Sequence, residues 1–481
     1  MPVALHNSLT QTVEPLVPLR PGAVGLYACG VTVYDDAHLG HLRAAYVFEV
    51  LRRVLQAQGH QVTYVRNVTD VDDKIIEKAR AEAVASGISL KAACKKVADT
   101  YLARYQEDLK RCDIPPPDKE PKATEHLPQM LHVIKGLVAK SHAYAVDGDV
   151  YFRVRSFPAY GRLSHQSVDE LRAGTRVAPG ERKEDPLDFA LWKAAKPEEP
   201  SWDSPWGAGR PGWHIECSAM SMTYLGESFD LHGGGRDLIF PHHENEIAQS
   251  EAATGRPFAR CWVHSGLVTV GGHKMAKSVG NVVRVPDLLA RHPNPDVLKL
   301  LFLMTHYSSP LDFTWEKLDE TAVAYDEFTI LFEHVDQLMQ RGLARGSTQQ
   351  EVADYARRRL PELKVKFNEA LANNLNTPQA VAALFDLKML AYQAKDAAGD
   401  LSLAAQVVAS IRELGSSCLG LFSRLPARRA PLDPKVQALV EKRDAARQAK
   451  DFKESDRLRQ EIQQLGFIVE DTSGGTVCRP A

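Results

Sequence analysis

The sequence has few cysteines and spreads them widely. Seven thiols in 481 residues (Cys29, Cys94, Cys112, Cys217, Cys261, Cys418 and Cys478) make an odd number, and no CxxC pair occurs. A disulfide framework is thereby excluded. A reducing, cytoplasmic setting is expected, with one or two thiols available for chemistry. Long apolar runs are missing as well: none approaches the ~20 residues of a membrane helix, so no membrane partner is expected. A surplus of either charge is also absent. The 59 basic and 61 acidic residues leave a net charge of −2. That gives no global attraction to a polyanion, and any nucleic-acid surface has to be local. The opening residues carry no basic segment followed by an apolar run, so neither a signal nor a transit peptide is expected. Short-period repeats and low-complexity tracts are not found.

What is present reads as a soluble globular protein: 44% hydrophobic and 25% charged residues, in a chain long enough for roughly two to four domains. Residues 24–33 (VGLYACGVTV) are apolar and β-prone and predict a buried strand. A helix should run to about Gln58, because Leu42, Tyr46, Val47, Val50, Leu51, Val54 and Leu55 follow helical spacing and Gly59 stops it. A second strand is expected over 61–67. A second helix should follow from about Asp72, with Asp70, Asp72 and Asp73 in capping positions. This alternation opens a parallel α/β sheet, whose ligands bind at the C-terminal strand ends. Cys29, His38, His41 and Thr69 fall there.

The proline-rich break at 114–121 starts a different texture, read as an insertion that splits the α/β domain. It holds a helical stretch, a β-hairpin turning at Asp147-Gly148, and a Gly-, Pro- and charge-rich run over 173–185 that predicts a mobile loop. The sheet then resumes, with a strand over 261–270 and a polar loop over 271–281. Helical periodicity fills about 286–424, and a linker composition occupies 425–434. Two amphipathic helices follow, one marked by Val436, Leu439 and Val440, the other by Leu458, Ile462 and Leu465. A β-prone tail ends the chain.

Three stretches carry chemistry. The first, 213–250 (WHIECSAMSMTYLGESFDLHGGGRDLIFPHHENEIAQS), combines Cys217, four histidines and a triple glycine. Pro241 suits a first helical turn, which would set His242 and Glu246 on one face. With a thiolate from elsewhere this is a zinc-type donor set, although a polar helix start beside a core cysteine has the same pattern. The second is His38-Leu39-Gly40-His41 at a strand-to-helix junction. A helix N-terminus there binds anions, and Gly40 admits a close nucleotide. The third is Lys274-Met275-Ala276-Lys277-Ser278, whose two lysines could clamp a triphosphate or simply face solvent.

In this order and on matching elements, the second and third stretches resemble the HIGH and KMSKS signatures of class I aminoacyl-tRNA synthetases. The words YACGVTVYDDAHLGH, RNVTDVDDKII, PLDFALWK, WHIECSAM, HGGGRDLIFPHHENEIAQSE and KMAKSVGN narrow the resemblance to the cysteinyl-tRNA synthetases.

The resemblance implies an α/β fold: a Rossmann-like parallel-sheet catalytic domain split by an insertion, then an α-helical bundle and a small C-terminal α/β domain. The expected boundaries are 1–117 and 212–300 for the catalytic halves, 118–211 for the insertion, 301–424 for the bundle, and 425–481 for the linker and anticodon-binding domain. It implies ATP-dependent activation of L-cysteine and transfer to tRNA(Cys), by a monomer carrying one zinc ion and using magnesium with ATP. Cys29, Cys217, His242 and Glu246 would hold the zinc. His38, His41, Lys274 and Lys277 would serve the phosphates. Gly40, Gly233, Gly234 and Asp237 would line the ATP site, and Thr69, Trp213 and His232 the amino-acid pocket. His214 and His243 receive no role.

Some positions depart from the family pattern. Ala276 stands where serine is usual, asparagines occupy 372–378 where acids are usual, and Cys478 replaces a tryptophan that could stack on a base. Two rivals share this site: a ligase joining cysteine to an amino-sugar, and a catalytically silent RNA- or metal-binding paralogue. A basic C-terminal appendage (Arg424, Arg428, Arg429, Arg443, Arg447, Arg457 and Arg459) favours tRNA over the first. The intact histidines, Lys277 and donor set argue against the second.

Overall fold

The alternating elements at the start of the chain build a parallel sheet. The computed structural model describes residues 2–173, 182–275, 280–340, 349–397, 399–424, 433–472 and 475–480. An antiparallel hairpin, β1 (Ala4–Asn7) and β2 (Thr12–Pro15), comes first. Then β3 (Ala23–Thr32), α1 (Leu39–Ala57) and β4 (Gln61–Thr69) form a β-α-β unit. The apolar face read from the sequence is the buried face of α1, and Gly59 at φ 87° follows its end. The helix expected from Asp72 is two helices, α2 (Asp73–Ser86) and α3 (Leu90–Arg111). Gly87 in the left-handed region ends the first, and Ser89 caps the second. Asp72 caps α2, whereas Asp70 accepts hydrogen bonds from the Thr124 amide and hydroxyl at 2.9 and 2.6 Å and so anchors the next segment.

The insertion contains α4 (Leu127–Ala139), β5 (Ala143–Val146), β6 (Asp149–Phe152), α5 (Val168–Ala173), β7 (Phe189–Ala194) and β8 (Gly209–Pro211). Its strands form an antiparallel sheet in the order β5-β6-β7-β8. Asp147 and Gly148, with φ of 49° and 90°, make the expected tight turn. Most of the loop predicted over 173–185 lies outside the described residues.

The parallel sheet is completed by α6 (Trp213–Leu225), β9 (Phe229–Gly235), α7 (Glu244–Thr254) and β10 (Ala259–Ser265). Its order is β10-β9-β3-β4, so the two chain segments flanking the insertion meet side by side at β3 and β9. Tyr27 faces His232 in register there, and Ala28 faces Gly233. The core beneath includes Tyr27, Val65, Ile215, Met220, Phe229, Ile247, Phe258 and Trp262.

The strand expected over 261–270 is in fact two. β10 ends at Ser265, and β11 (Val268–Val270) belongs to a separate small sheet with β12 (His273–Lys274) and β13 (Leu311–Phe313), α8 (Val285–Arg291) lying between the last two in sequence. The break is at Gly266, where a Cβ would lie 2.0 Å from the Ser309 carbonyl oxygen. That close approach diverts the chain out of the main sheet.

These elements make one compact unit, Met1–Pro295 with Thr305–Thr314 and Ala372–Leu375. The second unit is mainly helical: α9 (Pro295–Leu303), α10 (Trp315–Gln340), α11 (Gln350–Ala372), α12 (Thr377–Tyr392), α13 (Leu401–Leu414), α14 (Pro434–Gln448) and α15 (Phe452–Gln464), ending in the hairpin of β14 (Phe467–Thr472) and β15 (Gly475–Pro480). The asparagines near 374 have structural duties. Asn374, in the left-handed region, accepts from the His6 amide and the Tyr307 hydroxyl, and Asn376 caps α12.

The appendage builds its own small core. Cys478 is fully buried in a small core with Val436, Leu439, Val440, Leu458, Ile462 and Val469, while Leu465 is exposed. Its main chain exchanges two hydrogen bonds with the Gln337 amide, so this position closes a core. The basic positions are also mostly engaged. Arg443 is buried on Asp471 and Thr476, Arg447 pairs with Asp471, and Arg457 pairs with Glu454 and Glu461. Arg428 and Arg429 lie outside the described residues.

The buried Asp296–Lys299 pair offers a stability test for the helical unit. Asp296 also accepts from the Tyr325 hydroxyl and the Phe422 amide, and Lys299 donates to the Gly420 carbonyl. Asp296→Ala strands a buried ammonium and is expected to cost about 3–5 kcal/mol. Urea unfolding followed by the far-UV helix signal checks it; an unchanged midpoint would contradict the assignment.

Candidate metal and nucleotide site

Cys29 reaches the site through a β-bulge. In the β3–β4 ladder, Ala28 pairs with Arg66 and Val31 with Val68, so one extra residue is accommodated on β3. A bulge re-aims the side chains it contains. Gly30 is required there, since a Cβ would lie 1.7 Å from the Asn67 carbonyl oxygen, and its amide donates to Asn67 Oδ1 at 2.9 Å. Cys217 comes from the second turn of α6. His242 and Glu246 come from the start of α7, where the path differs from the expected simple helix. Phe240 is extended (φ −134°, ψ 133°), a kinked turn spans Ile239–His243, and α7 proper begins at Glu244. His242 and Glu246 still share a face, with Nε2 and Oε1 3.0 Å apart.

These four residues converge. Their donor atoms all lie within 4.8 Å of one another. The Cys29 and Cys217 sulfurs are 3.7 Å apart, and Cys29 Sγ is 3.6 Å from Glu246 Oε1. Two thiolates bound at about 2.3 Å to one tetrahedral zinc would be about 3.8 Å apart, so the spacing fits a shared ion. Cys217, His242 and Glu246 are buried and Cys29 only partly so, which leaves the Cys29 side open. Burial raises the pKa of Glu246 and of both thiols and lowers that of His242. A buried cluster of acid-forming groups faced by neutral imidazoles is a donor group that could hold a cation.

A layer of histidines supports this group. His232 is fully buried behind Glu246, its Nε2 2.8 Å from Oε2, and it stacks on Trp262. Its Nε2 therefore faces the carboxylate. His214 Nδ1 lies 2.8 Å from His242 Nδ1. His243 Nε2 approaches Cys29 Sγ at 3.2 Å, and its Nδ1 lies 2.8 Å from His264 Nε2. Cys29, His232, His243 and Glu246 therefore form a second, overlapping donor group. The first group has two thiols, the softer set that suits zinc. His243 and His264 were not legible as partners because they stand on different elements with no fixed spacing.

The HLGH turn opens α1 with a capping box. The Gly40 amide donates to His38 Nδ1 at 3.1 Å, and the His38 amide donates to His41 Nδ1 at 3.4 Å. Accepting at Nδ1 leaves each neutral ring with its proton on Nε2. The rings stack with centroids 3.8 Å apart. Burial lowers the pKa of both, that of His41 to about 3, so they are hydrogen-bond donors rather than cations.

The remaining expected residues divide. Thr69 is buried and donates to Glu216 Oε2 at 2.8 Å; Glu216, a fully buried carboxyl next to Cys217, carried no sequence signal. Trp213 is 39% exposed and stacks on His242 with centroids 4.1 Å apart. Gly233 and Gly234 are required by packing: a Cβ would strike Phe48 at the first and Leu238 or His243 at the second. Asp237 is exposed, and its charge opposes the lowering at His38. The side chain of Lys274 and all of Lys277 lie outside the described residues.

Known proteins share this architecture. A Mycobacterium tuberculosis methionyl-tRNA synthetase in complex with methionyl-adenylate matches 83% of this chain and 92% of its own at 14% identity, with a TM-score of 0.63. The ternary complex of Agrobacterium radiobacter K84 LeuRS with tRNA and LeuAMS matches 84% and 85% at 11% identity, with a TM-score of 0.61. At such identities the likeness defines the fold. The family model described as tRNA synthetases class I (C) catalytic domain matches residues 15–323, which gives the class. A DALR domain matches 366–423 and a cysteinyl-tRNA ligase anticodon binding domain 429–479. Cysteine–tRNA ligases of Aquifex aeolicus (strain VF5) and Halorhodospira halophila (strain DSM 244 / SL1) are 45% and 47% identical over 99% of this chain and 98% and 99% of theirs. The chain therefore belongs to the cysteine–tRNA ligase family of class I aminoacyl-tRNA synthetases. Neither rival reading finds support among these likenesses.

The buried imidazoles set an acid limit. His41, His214, His232 and His264 are lowered from 6.5 to about 3 by burial. Below pH 6.5 the unfolded chain takes up protons that the folded chain refuses, so stability is full above that value and falls toward pH 3. Each group contributes up to about 1.4 kcal/mol per pH unit in that window. Urea midpoints should drop steadily from pH 6.5 to 4; a flat profile would contradict the buried neutral cluster.

Proposed function

We propose that the chain carries out the ligation its family is named for, joining L-cysteine to tRNA(Cys) in two steps, as a monomer in the cytosol. The observation that carries this reading is the meeting of Cys29, Cys217, His242 and Glu246 within 4.8 Å. Two thiols, an imidazole and a carboxylate suit one zinc ion, with the partly open Cys29 side left for substrate. The zinc would bind the substrate as its thiolate. Serine offers a harder, far less acidic hydroxyl, and loss of such a contact can cost ~10⁴-fold where a pocket wall alone gives ~10². His232 would hold Glu246 in place, and His214 would do so for His242.

In the first step the cysteine carboxylate attacks the α-phosphate of ATP, and pyrophosphate leaves. His38 and His41 would donate from Nε2 to the phosphates. Lys274 and Lys277, with magnesium, would neutralise the departing pyrophosphate. Gly40, Gly233, Gly234 and Asp237 would border the nucleotide, and Thr69, Trp213 and His232 the amino acid. In the second step a ribose hydroxyl of the tRNA's terminal adenosine attacks the adenylate carbonyl and releases AMP. No side chain acts as nucleophile; the site works by positioning and electrostatics. Residues 425–481 would read the anticodon. Among the described residues, no helix is long and apolar enough to cross a membrane.

Lys277→Ala should lower cysteine-dependent ATP–pyrophosphate exchange by about 10²-fold or more. A chain ending near Pro431 should keep exchange but lose tRNA charging. Unchanged exchange in the first variant, or intact charging in the second, would contradict the corresponding role.

A further inference from the structure

Arg43 is 1% exposed, on α1 two residues after His41. Among the described residues its guanidinium forms no ion pair with a carboxylate. It is surrounded instead by main-chain carbonyls. Nη1 donates to Gly266 O at 2.9 Å and Leu267 O at 3.2 Å. Nη2 donates to His306 O at 3.1 Å and Ser309 O at 2.8 Å, with Tyr307 O at 3.5 Å. A buried cation held only by peptide dipoles needs many of them, and the planar fork of arginine can reach them at once.

The carbonyls belong to two segments with one destination. Gly266 and Leu267 lead into β11, and 306–309 lead into β13, its parallel partner. Arg43 therefore grips both strands of the small sheet at their N-terminal ends. The two segments also meet directly, through Gly266 N to Tyr307 O at 2.8 Å and Leu311 N to Leu267 O at 2.9 Å. At the far end, Asp312 accepts from the Thr269 hydroxyl and the Gly272 amide, both at 2.7 Å. β12, which carries Lys274, is paired to β11 in this frame.

One helical turn thus has two duties. At about 100° per residue, Arg43 projects about 200° away from His41, and only about 3 Å further along the axis. The phosphate-facing histidines and the clamp on the lysine hairpin are set by the same first turns of α1. We propose that Arg43 is a positioning residue for adenylate formation, fixing the lysine-bearing hairpin relative to the HLGH turn so that both grip one triphosphate. This rests on the proposed roles of His38, His41 and the lysines.

The test is a double-mutant cycle read by cysteine-dependent ATP–pyrophosphate exchange on the full-length enzyme. Arg43→Lys keeps the charge and loses the fork. Its kcat should fall about 10²-fold, with the KM for cysteine and the zinc content held within about twofold. A merely structural role would lower zinc, cysteine affinity and rate together. Combined with Lys274→Ala, the loss should be clearly smaller than the product of the single losses, because both act through one hairpin. Losses that multiply would overturn the proposal. If Lys274→Ala alone has no effect, the lysine assignment fails, and the proposal with it. Should Arg43→Lys not fold, Asp312→Asn loosens the other end of the same frame and should show the same selective loss. Unchanged exchange, or a parallel loss of cysteine binding, would then contradict the proposal.

Discussion

Burial of acid-forming groups is the constraint on which the catalytic unit depends. Cys217 and Glu246 are removed from solvent, Cys29 only partly so, and the imidazoles around them are held neutral. Burial alone favours the protonated forms of the thiols and the carboxylate. A cation with soft-ligand preference reverses that, and the 3.7 Å spacing of the sulfurs is suited to one. The same burial makes the hydrogen bonds from His232 and His214 matter, since a desolvated ligand that is not oriented would be free to turn.

The fold serves this convergence. β3 and β9 are separated in sequence by the whole insertion, yet they pair in parallel with Tyr27 opposite His232. That register brings Cys29, just past the pairing, to the face where α6 and α7 deliver the other three donors. The bulge at Gly30 supplies the last adjustment. On the same sheet edge, α1 begins with a capping box that assigns the protons of His38 and His41. A single turn of helix therefore fixes donor tautomers on one face and, through Arg43, a neighbouring strand pair on the other.

Much of this was legible where local signals and global packing agree. The first strand, helix and strand followed from periodicity and from Gly59. The meeting of Cys29, Cys217, His242 and Glu246 followed from residue type in familiar words. Other features depended on distant atoms. Gly266 divides an apolar run only because Ser309 presses on it. Gly87 inside a helical stretch is a weak stop signal until its left-handed backbone is known. Phe240 leaves the helical region although its neighbours match a helix start. Arg443 was grouped with the basic positions that favour RNA, but a small domain needs its charge, and the volume of Cys478, for its own core. Glu216 and His264 carry no motif, because their importance comes from what stands opposite them.

Selection of substrate by its sulfur can be measured directly. Bulk tRNA would be charged with labelled cysteine or serine, using enzyme of measured zinc content before and after chelation. The account predicts about one zinc per chain and a cysteine preference of ~10⁴ or more, lost together with charging when the metal is removed and recovered on its return. Undiminished preference in metal-free enzyme, or efficient charging with serine, would contradict it.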